Sequence, residues 1–142
     1  MRLVALLLAL LVAPAASAQF AIGGQVGDPT GLSLKFGDGS GALLVAVGWD
    51  LDGFDSVSAE GHYVLRARPL RGTRAVSLFY GPGIFVRDSE ASDTDLGVSI
   101  GVGLEGDIAQ DFELYGLISP RLQLINETDF ELGGGIGLRL RL

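Results

Sequence analysis

The residues with the most obvious chemical potential in this sequence surround its single histidine. Ser58, Glu60 and His62 follow one another at two-residue intervals. In a β-strand such residues share one face and lie about 6 to 7 Å apart, so a Ser-His-Glu nucleophile is conceivable. The same residues also fit a structural polar network with Arg66 and Arg121. The choice between these interpretations depends on whether the polar face of the strand lies against lipid or inside the protein.

Two acidic segments could bind a hard cation such as Ca²⁺ or Mg²⁺. They consist of Asp50, Asp52 and Asp55, and of Asp88, Glu90, Asp93 and Asp95. Neither has the ligand spacing of an EF-hand loop, so we expect solvated loops and assign no metal and no cofactor. One functional role remains for these segments, which is bridging by divalent ions to anionic lipid headgroups.

The sequence after residue 18 alternates between apolar residues and polar or small ones with a period of two, so β-strands must position these residues. In residues 130–142 every even position except Gly134 is apolar, and every odd position is Gly, Glu or Arg. A strand with this pattern places hydrocarbon on one face and charge on the other. Seven earlier segments show similar alternation, and they cover residues 19–27, 32–36, 42–49, 57–68, 75–86, 96–105 and 112–125.

Eight such strands predict an all-β fold, an eight-stranded antiparallel up-and-down transmembrane β-barrel. The even number lets the barrel close with both chain ends on one side. At about 3.3 Å per residue the last strand is roughly 40 Å long, enough to cross a bilayer while tilted. The longest connection is predicted at Arg87–Asp95, outside the cell. Pro82 predicts a bulge or local break, because proline cannot donate to the ladder.

The N-terminus has the order of a secretory signal peptide. Arg2 precedes the apolar run Leu3–Ala13, and Ala16-Ser17-Ala18 follows. We therefore expect cleavage after Ala18, with residues 1–18 as the signal peptide and 19–142 as the barrel domain. The apolar run is too short for a helix that spans a bilayer, which needs about 20 residues.

Composition excludes several classes of function. The formal net charge is −7, and loss of Arg2 with the signal peptide would make it −8, so we expect no nucleic-acid partner. The chain has no cysteine, which excludes disulfides and thiol catalysis. With 48% hydrophobic and only 19% charged residues, the composition is unusual for a soluble domain.

The two faces of the predicted strands differ in side-chain size. The apolar face carries mainly Leu, Val and Ile, whereas Gly, Ser and Ala dominate the other face, together with a few charges. Because an eight-stranded barrel has a narrow interior, the small residues and mutually neutralising charges belong inside. The predicted lumen charge network consists of Lys35, Glu60, His62, Arg66, Arg68, Glu105, Glu113, Arg121, Glu131, Arg139 and Arg141. A catalytic Ser-His-Glu set would then face away from lipid, which favours the structural network.

The whole chain after residue 18 resembles the small bacterial outer-membrane β-barrel superfamily. The segment Gly27-Asp28-Pro29-Thr30-Gly31-Leu32-Ser33-Leu34-Lys35 is similar to a turn in uncharacterised members. The resemblance implies an outer-membrane location, contact with outer-membrane lipid, and recognition by the barrel-assembly machinery. We expect a monomer.

The function predicted from these features is that of a non-enzymatic outer-membrane barrel with a structural, adhesive or envelope-maintenance role and a lumen filled by side chains. Three alternatives stay open. One is a narrow, porin-like passive channel for small solutes, and another is a lipid-modifying outer-membrane enzyme that uses His62. The third is a soluble periplasmic barrel that binds a hydrophobic ligand, in which the apolar face would turn inward.

Overall fold

A computed structural model describes residues 19–49, 56–70, 76–89, 92–125 and 128–142. The predicted signal peptide, the acidic segment at 50–55 and Glu90 lie outside the described residues, as does the side chain of Asp93. Within the described ranges, no helix is long and apolar enough to cross a membrane.

The described residues form antiparallel strands, as the alternating pattern predicts. In chain order they are β1 Phe20–Asp28, β2 Gly31–Phe36, β3 Leu43–Trp49, β4 Ser56–Tyr63, β5 Arg66–Pro69, β6 Val76–Ser89, β7 Ser92–Asp107, β8 Phe112–Gln123 and β9 Asp129–Arg141.

The strands close into a barrel. Their order is β4-β3-β2-β1-β9-β8-β7-β6-β5, and β4 also pairs with β6. Because β4 and β5 both pair with β6, they are two parts of one strand position, which leaves eight positions around the wall. The first and last strands complete the ladder, from Ala21 paired with Arg141 to Asp28 paired with Gly134. The predicted closed eight-stranded antiparallel barrel is confirmed.

A bulge separates β4 from β5. His62 pairs with Gly83 and Arg66 pairs with Tyr80, so the three residues between the first pair and the second face only two on β6. One of those two is Pro82, which has no N–H to donate. An extra residue in one strand exchanges the inward and outward faces for everything that follows it.

This bulge corrects the sequence prediction in one respect. The proline predicts an irregularity near Gly81-Pro82-Gly83, and one is found beside it, but β6 itself continues through Pro82, which pairs with Ile100 of β7. The extra residue lies instead in the neighbouring strand position, between Tyr63 and Arg66. The predicted single strand over 57–68 is therefore two strands with opposite alternation.

The predicted long loop at Arg87–Asp95 is wrong. Strand β6 runs to Ser89 and β7 begins at Ser92, so most of the predicted loop is a two-stranded extension of the wall. Arg87 pairs with Asp95 across this hairpin. Cross-strand pairs of opposite charge stabilise a ladder without an apolar face, which is why hydropathy alone gave no strand signal here.

The wall of the barrel is polar inside and apolar outside. Arg139 and Glu113 are each 1% exposed, whereas Ile100 is 58% exposed and Ile136 is 66% exposed. Gln19, Leu142, the turn at 37–41 and the turn at 108–111 lie at the same end, which we call the terminal end. In the 37–41 turn, Gly37, Gly39 and Gly41 all have positive φ, a conformation that glycine adopts without steric cost.

Candidate functional site

The buried polar residues of the lumen form the candidate site, and the first of two groups surrounds the histidine. We call it the His62 cluster, and its members are Glu60, His62, Ser99, Ser119 and Arg121. All five side chains are buried. They reach the axis from β4, β7 and β8, because each occupies an inward position of its strand.

Arg121 is the centre of the His62 cluster. Its guanidinium forms an ion pair with Glu60, to which Nε donates at 3.1 Å. It also donates through Nη1 to Asp28 Oδ2 at 3.0 Å and through Nη2 to the Asp28 carbonyl oxygen at 2.7 Å. The guanidinium lies 5.4 Å from the centroid of the Phe85 ring. A buried arginine whose donors are satisfied in this way holds three strands together.

His62 has a geometry that differs from a catalytic relay. Its Nε2 lies 3.1 Å from Ser99 Oγ, 3.3 Å from Ser119 Oγ and 3.2 Å from Glu60 Oε1. Glu60 also accepts a hydrogen bond from Ser119. A relay needs the carboxylate and the nucleophile on opposite ring nitrogens, whereas here both meet the same one. The arrangement is that of a packed polar network.

The Ser-His-Glu arrangement that the spacing made conceivable is not assembled. Among the described residues, the hydroxyls within hydrogen-bond distance of His62 are those of Ser99 and Ser119, not that of Ser58. These two serines come from β7 and β8, far away in sequence. Only the closure of the barrel brings them to His62, so two-residue spacing could not reveal them.

A second group lies towards the terminal end. We call it the Lys35 cluster, and its members are Lys35, Glu105, Glu113, Arg139 and Arg141. Lys35 Nζ lies 3.0 Å from Glu105 Oε2 and 3.1 Å from Glu113 Oε2. Arg141 Nη2 lies 3.0 Å from the same Glu113 oxygen. Glu113 therefore pairs with two cations, Lys35 and Arg141, in addition to Arg139.

Two acidic residues close the Lys35 cluster at the rim. Asp107 pairs with Arg141 at 2.6 Å, and Asp38 pairs with Lys35 at 3.2 Å. Burial alone would raise the pKa of Asp38, but the Lys35 ammonium and the Gly39 amide outweigh it and hold that pKa below its ordinary value. The Asp38 carboxylate therefore stays ionised at neutral pH beside the Lys35 ammonium.

Arg139 is held differently from Arg121. Its Nη1 lies 3.6 Å from Glu113 Oε1, too far for a hydrogen bond, and its Nε and Nη1 have no hydrogen-bond partner among the described residues. Its guanidinium instead lies 3.8 Å from the centroid of the Tyr115 ring. A cation over an aromatic face is stabilised electrostatically without hydrogen bonds.

Tyr115 connects the two clusters. Its hydroxyl lies 2.7 Å from Gln25 Oε1 and 2.6 Å from Ser33 Oγ. Gln25 Nε2 then donates to the Pro29 carbonyl oxygen at 2.8 Å, next to the aspartate that binds Arg121. Tyr115 thus contacts Arg139 of the Lys35 cluster through its ring and reaches, through its hydroxyl and Gln25, the turn that follows Asp28.

Inward-facing glycines make room for the large side chains of the lumen. Phe79 pairs with Gly103, Phe85 with Gly97, and Tyr115 with Gly137. In each pair a Cβ on the glycine would collide with the aromatic ring. The rings thus lie over the backbone of their cross-strand partners, which is how a narrow barrel accommodates them.

The voids that remain beside these groups are small. One, of about 10 Å³, is lined by residues that include Ser33, Glu60, His62 and Tyr115. Another, also of about 10 Å³, lies beside Lys35 and Arg141. Each has room for roughly one water molecule. The side chains, rather than solvent, fill these parts of the lumen.

Most of the predicted lumen charge network does lie in the barrel interior or at its mouths. The residues found there are Lys35, Glu60, His62, Glu105, Glu113, Arg121, Glu131, Arg139 and Arg141. Arg87 also belongs to it, because its guanidinium contacts Glu131 at 3.3 Å and Asp28 at 3.7 Å. Arg87 is absent from the predicted network because the acidic residues that follow it predict a loop at 87–95.

Arg66 and Arg68 do not lie in the lumen, contrary to the prediction. Both are exposed, and they pair with Tyr80 and Leu78, whose side chains are exposed on the outer surface. Ala67, between them, packs inward against the apolar cluster of Ala42, Leu44, Val64 and Phe79. The reason is the bulge before β5, which exchanges the two faces of the strand.

Fold and site together define a closed eight-stranded antiparallel β-barrel with an ion-paired interior. Comparison with protein-family models, with curated proteins and with solved structures finds no match for this chain. Its function must therefore be inferred from its own geometry.

Proposed function

We propose that this chain is an outer-membrane β-barrel, closed by its own side chains, with a structural, adhesive or envelope-maintenance role. The observation that carries the proposal is the distribution of side chains across the wall. Leucine, isoleucine and valine cover the outside, while paired ions and hydrogen-bonded polar groups occupy the inside. Soluble monomers rarely expose a continuous apolar surface of this kind, whereas a bilayer requires one.

Aromatic residues near both ends of the wall support a bilayer as the surrounding solvent. Phe20 and Phe36 contact each other at the terminal end, with ring centroids 5.2 Å apart, and Phe112 begins β8 at that end. Trp49 and Phe130 lie at the opposite end and are both exposed. Membrane barrels carry aromatic residues at the two levels where hydrocarbon meets headgroups.

The proposed orientation follows from the position of the chain ends. An exported chain reaches the outer membrane from the periplasm, and the terminal end holds the start of β1 and the end of β9, together with the turns at 37–41 and 108–111. We therefore place the terminal end in the periplasm. The hairpin of β6 and β7 then projects from the outer leaflet, which suits an adhesive role.

The composition of the lumen separates the proposal from its alternatives. A soluble barrel for a hydrophobic ligand would need an apolar cavity, but Arg121, Glu60 and Glu113 occupy this interior. A lipid-modifying enzyme would need its catalytic groups where lipid can reach them, and His62 is 3% exposed. A channel would need a continuous wet path beside the ion pairs.

Location and closure can be tested in one experiment. The full chain is expressed in a Gram-negative host, the envelope is fractionated, and the outer-membrane fraction is run on a gel with and without heating. We expect the chain in that fraction, with faster migration before heating because the closed barrel resists the detergent. Recovery in the soluble periplasmic fraction would refute the proposal.

Planar-bilayer recording tests whether the lumen is closed. We expect no steady conductance from the folded chain, because ion pairs and aromatic rings fill the described interior. Sustained single-channel currents would refute the closed barrel and support the passive channel.

A lipid A assay tests the enzymatic alternative. His62→Ala should leave any lipid A modification in the host unchanged. A product that disappears with this variant would establish the enzyme.

A further inference from the structure

Arg66 and Arg68 form an outward-facing arginine pair at the terminal end. Ser40 Oγ, in the turn at 37–41, accepts a hydrogen bond of 3.1 Å from the Ala67 amide. Strand β3 begins at Leu43, so β5 extends beyond the end of β3 and lies beside the turn at 37–41. The Arg66 and Arg68 side chains therefore lie on the outer surface, at the rim of the barrel.

Their lack of a carboxylate partner distinguishes these two arginines from the other described cations. Lys35, Arg87, Arg121, Arg139 and Arg141 each pair with an aspartate or glutamate. Arg66 and Arg68 form no ion pair with any residue that the structure describes. In a chain of net charge −7, two neighbouring unpaired guanidiniums are an unusual concentration of positive charge, and they favour an anionic ligand.

The surroundings of the pair are amphipathic. Tyr63 is 51% exposed and Tyr80 is 41% exposed, and Leu65 and Leu78 are exposed beside them. Tyrosine favours the boundary between hydrocarbon and headgroups. A ligand that fits this surface has an anionic group for the arginines and a hydrocarbon chain for the apolar wall that continues from them.

We propose that Arg66 and Arg68 bind the phosphate of anionic phospholipids in the periplasmic leaflet, with the acyl chains along the wall beside Leu65 and Leu78. This inference rests on the proposed membrane location. Guanidinium groups bind phosphate oxygens in a bidentate manner, and two unpaired guanidiniums could not remain in hydrocarbon. The arginine pair therefore fixes the depth of the barrel, because β5 must lie at headgroup level.

Native mass spectrometry of the full chain tests this site. The chain is recovered from host membranes in a mild detergent and incubated with equal amounts of phosphatidylglycerol and phosphatidylcholine. We expect it to retain phosphatidylglycerol preferentially. In the double variant Arg66→Gln, Arg68→Gln the preference should fall by about tenfold to thirtyfold, since each cation at an anionic surface contributes about a factor of five.

Two controls and a fallback variant make the result specific. Arg66→Lys with Arg68→Lys retains the charge and should retain most of the preference. Thr128→Asp makes the net charge more negative by one unit at the opposite end, and should leave the preference unchanged. If the double Gln variant does not fold, Arg68→Gln alone is compared with Thr128→Asp, because both alter the net charge by one unit.

The possible outcomes separate this inference from the proposed function. A heat-modifiable chain in the outer membrane that shows no preference for phosphatidylglycerol, or the same preference in the double Gln variant, would overturn the arginine site alone. In a parallel incubation with lipid A added in equal amount, a stronger preference for lipid A that is lost in the double Gln variant would assign the arginines to the opposite leaflet and also overturn the inference. A chain found outside the membrane would refute the proposed function itself.

Discussion

Arg121 and Arg139 have nearly the same burial, 2% and 1% exposed, but they are stabilised by different interactions. Arg121 donates hydrogen bonds to Glu60, to the Asp28 carboxylate and to the Asp28 carbonyl oxygen. Arg139 has no hydrogen bond from its Nε or Nη1 to any described residue and lies instead over the Tyr115 ring. One cation is fixed by directional bonds and the other by packing.

The difference shows what each arginine does for its neighbours. Glu60 depends on Arg121, because its other contacts are with Ser119 and His62. Glu113 does not depend on Arg139 in the same way, because Lys35 and Arg141 also contact it. Removal of a cation from a buried pair is costly mainly through the charge that it leaves behind. The two arginines should therefore differ in their contribution to stability.

Arg121→Met should have the largest effect. It removes the guanidinium that pairs with Glu60 and leaves a buried carboxylate without its cation, so the free energy of unfolding should fall by about 3 to 5 kcal/mol. The measurement is a urea titration of the folded chain in lipid vesicles, followed by the fluorescence of Trp49, which is the only tryptophan. Arg121→Met combined with Glu60→Gln should recover part of the loss.

Arg139→Met is the matched variant. Since Glu113 keeps two other cations, we expect a loss of about 2 kcal/mol, the magnitude of a desolvated cation–π contact. Equal losses for the two methionine variants would contradict the distinction between them. A larger loss for Arg139→Met would mean that the terminal-end network depends on the packed arginine rather than on Lys35.

The alternation of the strands predicted the barrel and most of its interior. Lys35, Arg121 and Arg139 could be assigned to the lumen because each lies in a segment whose apolar positions recur every second residue. Such a pattern needs only local sequence, since adjacent side chains in a strand point to opposite faces. The division of the arginines into two clusters, by contrast, depends on the register between strands.

Residues 64–68 and 87–95 show where the local pattern fails. One extra residue between Tyr63 and Arg66 transfers Arg66 and Arg68 to the outer surface, and hydropathy changes little across that point. The acidic residues after Arg87 predict a loop, yet Arg87 pairs with Asp95 in a strand. Bulges and polar hairpins are specified by cross-strand partners, which a linear sequence does not identify.

Glycine substitutions test whether the packed arginine depends on its aromatic support. A Cβ at Gly137 would overlap the Tyr115 ring, against which the Arg139 guanidinium packs. Gly137→Ala should therefore lower the free energy of unfolding by about 1 to 3 kcal/mol, as overpacking does. Gly116→Ala, on the outer surface, is the control: its Cβ would meet nothing within 4 Å. The comparison fails if both alanines have the same effect in the urea titration.

Tyr115→Phe separates the ring from the hydroxyl. The ring should keep its contact with Arg139, while the hydrogen bonds to Gln25 and Ser33 are lost. We expect a decrease of about 1 to 2 kcal/mol in the free energy of unfolding, because two buried hydrogen bonds are lost. If adding Arg139→Met to this variant costs nothing further, the hydroxyl rather than the ring supports the arginine, and the packed description of Arg139 is wrong.

Asp38→Asn should have the smallest effect, because its carboxylate is half-exposed and Lys35 retains Glu105 and Glu113. An exposed ion pair contributes about 0.2 to 1 kcal/mol near neutral pH. The pKa of Asp38 is lowered in the folded barrel, so its contribution is complete above the ordinary value of 3.8 and disappears as the pH falls through the lowered value. Urea titrations of both proteins over that pH range should converge at low pH. A difference that grows on acidification would mean that Asp38 acts on the buried pairs of the Lys35 cluster, so that the rim and the interior titrate as one unit.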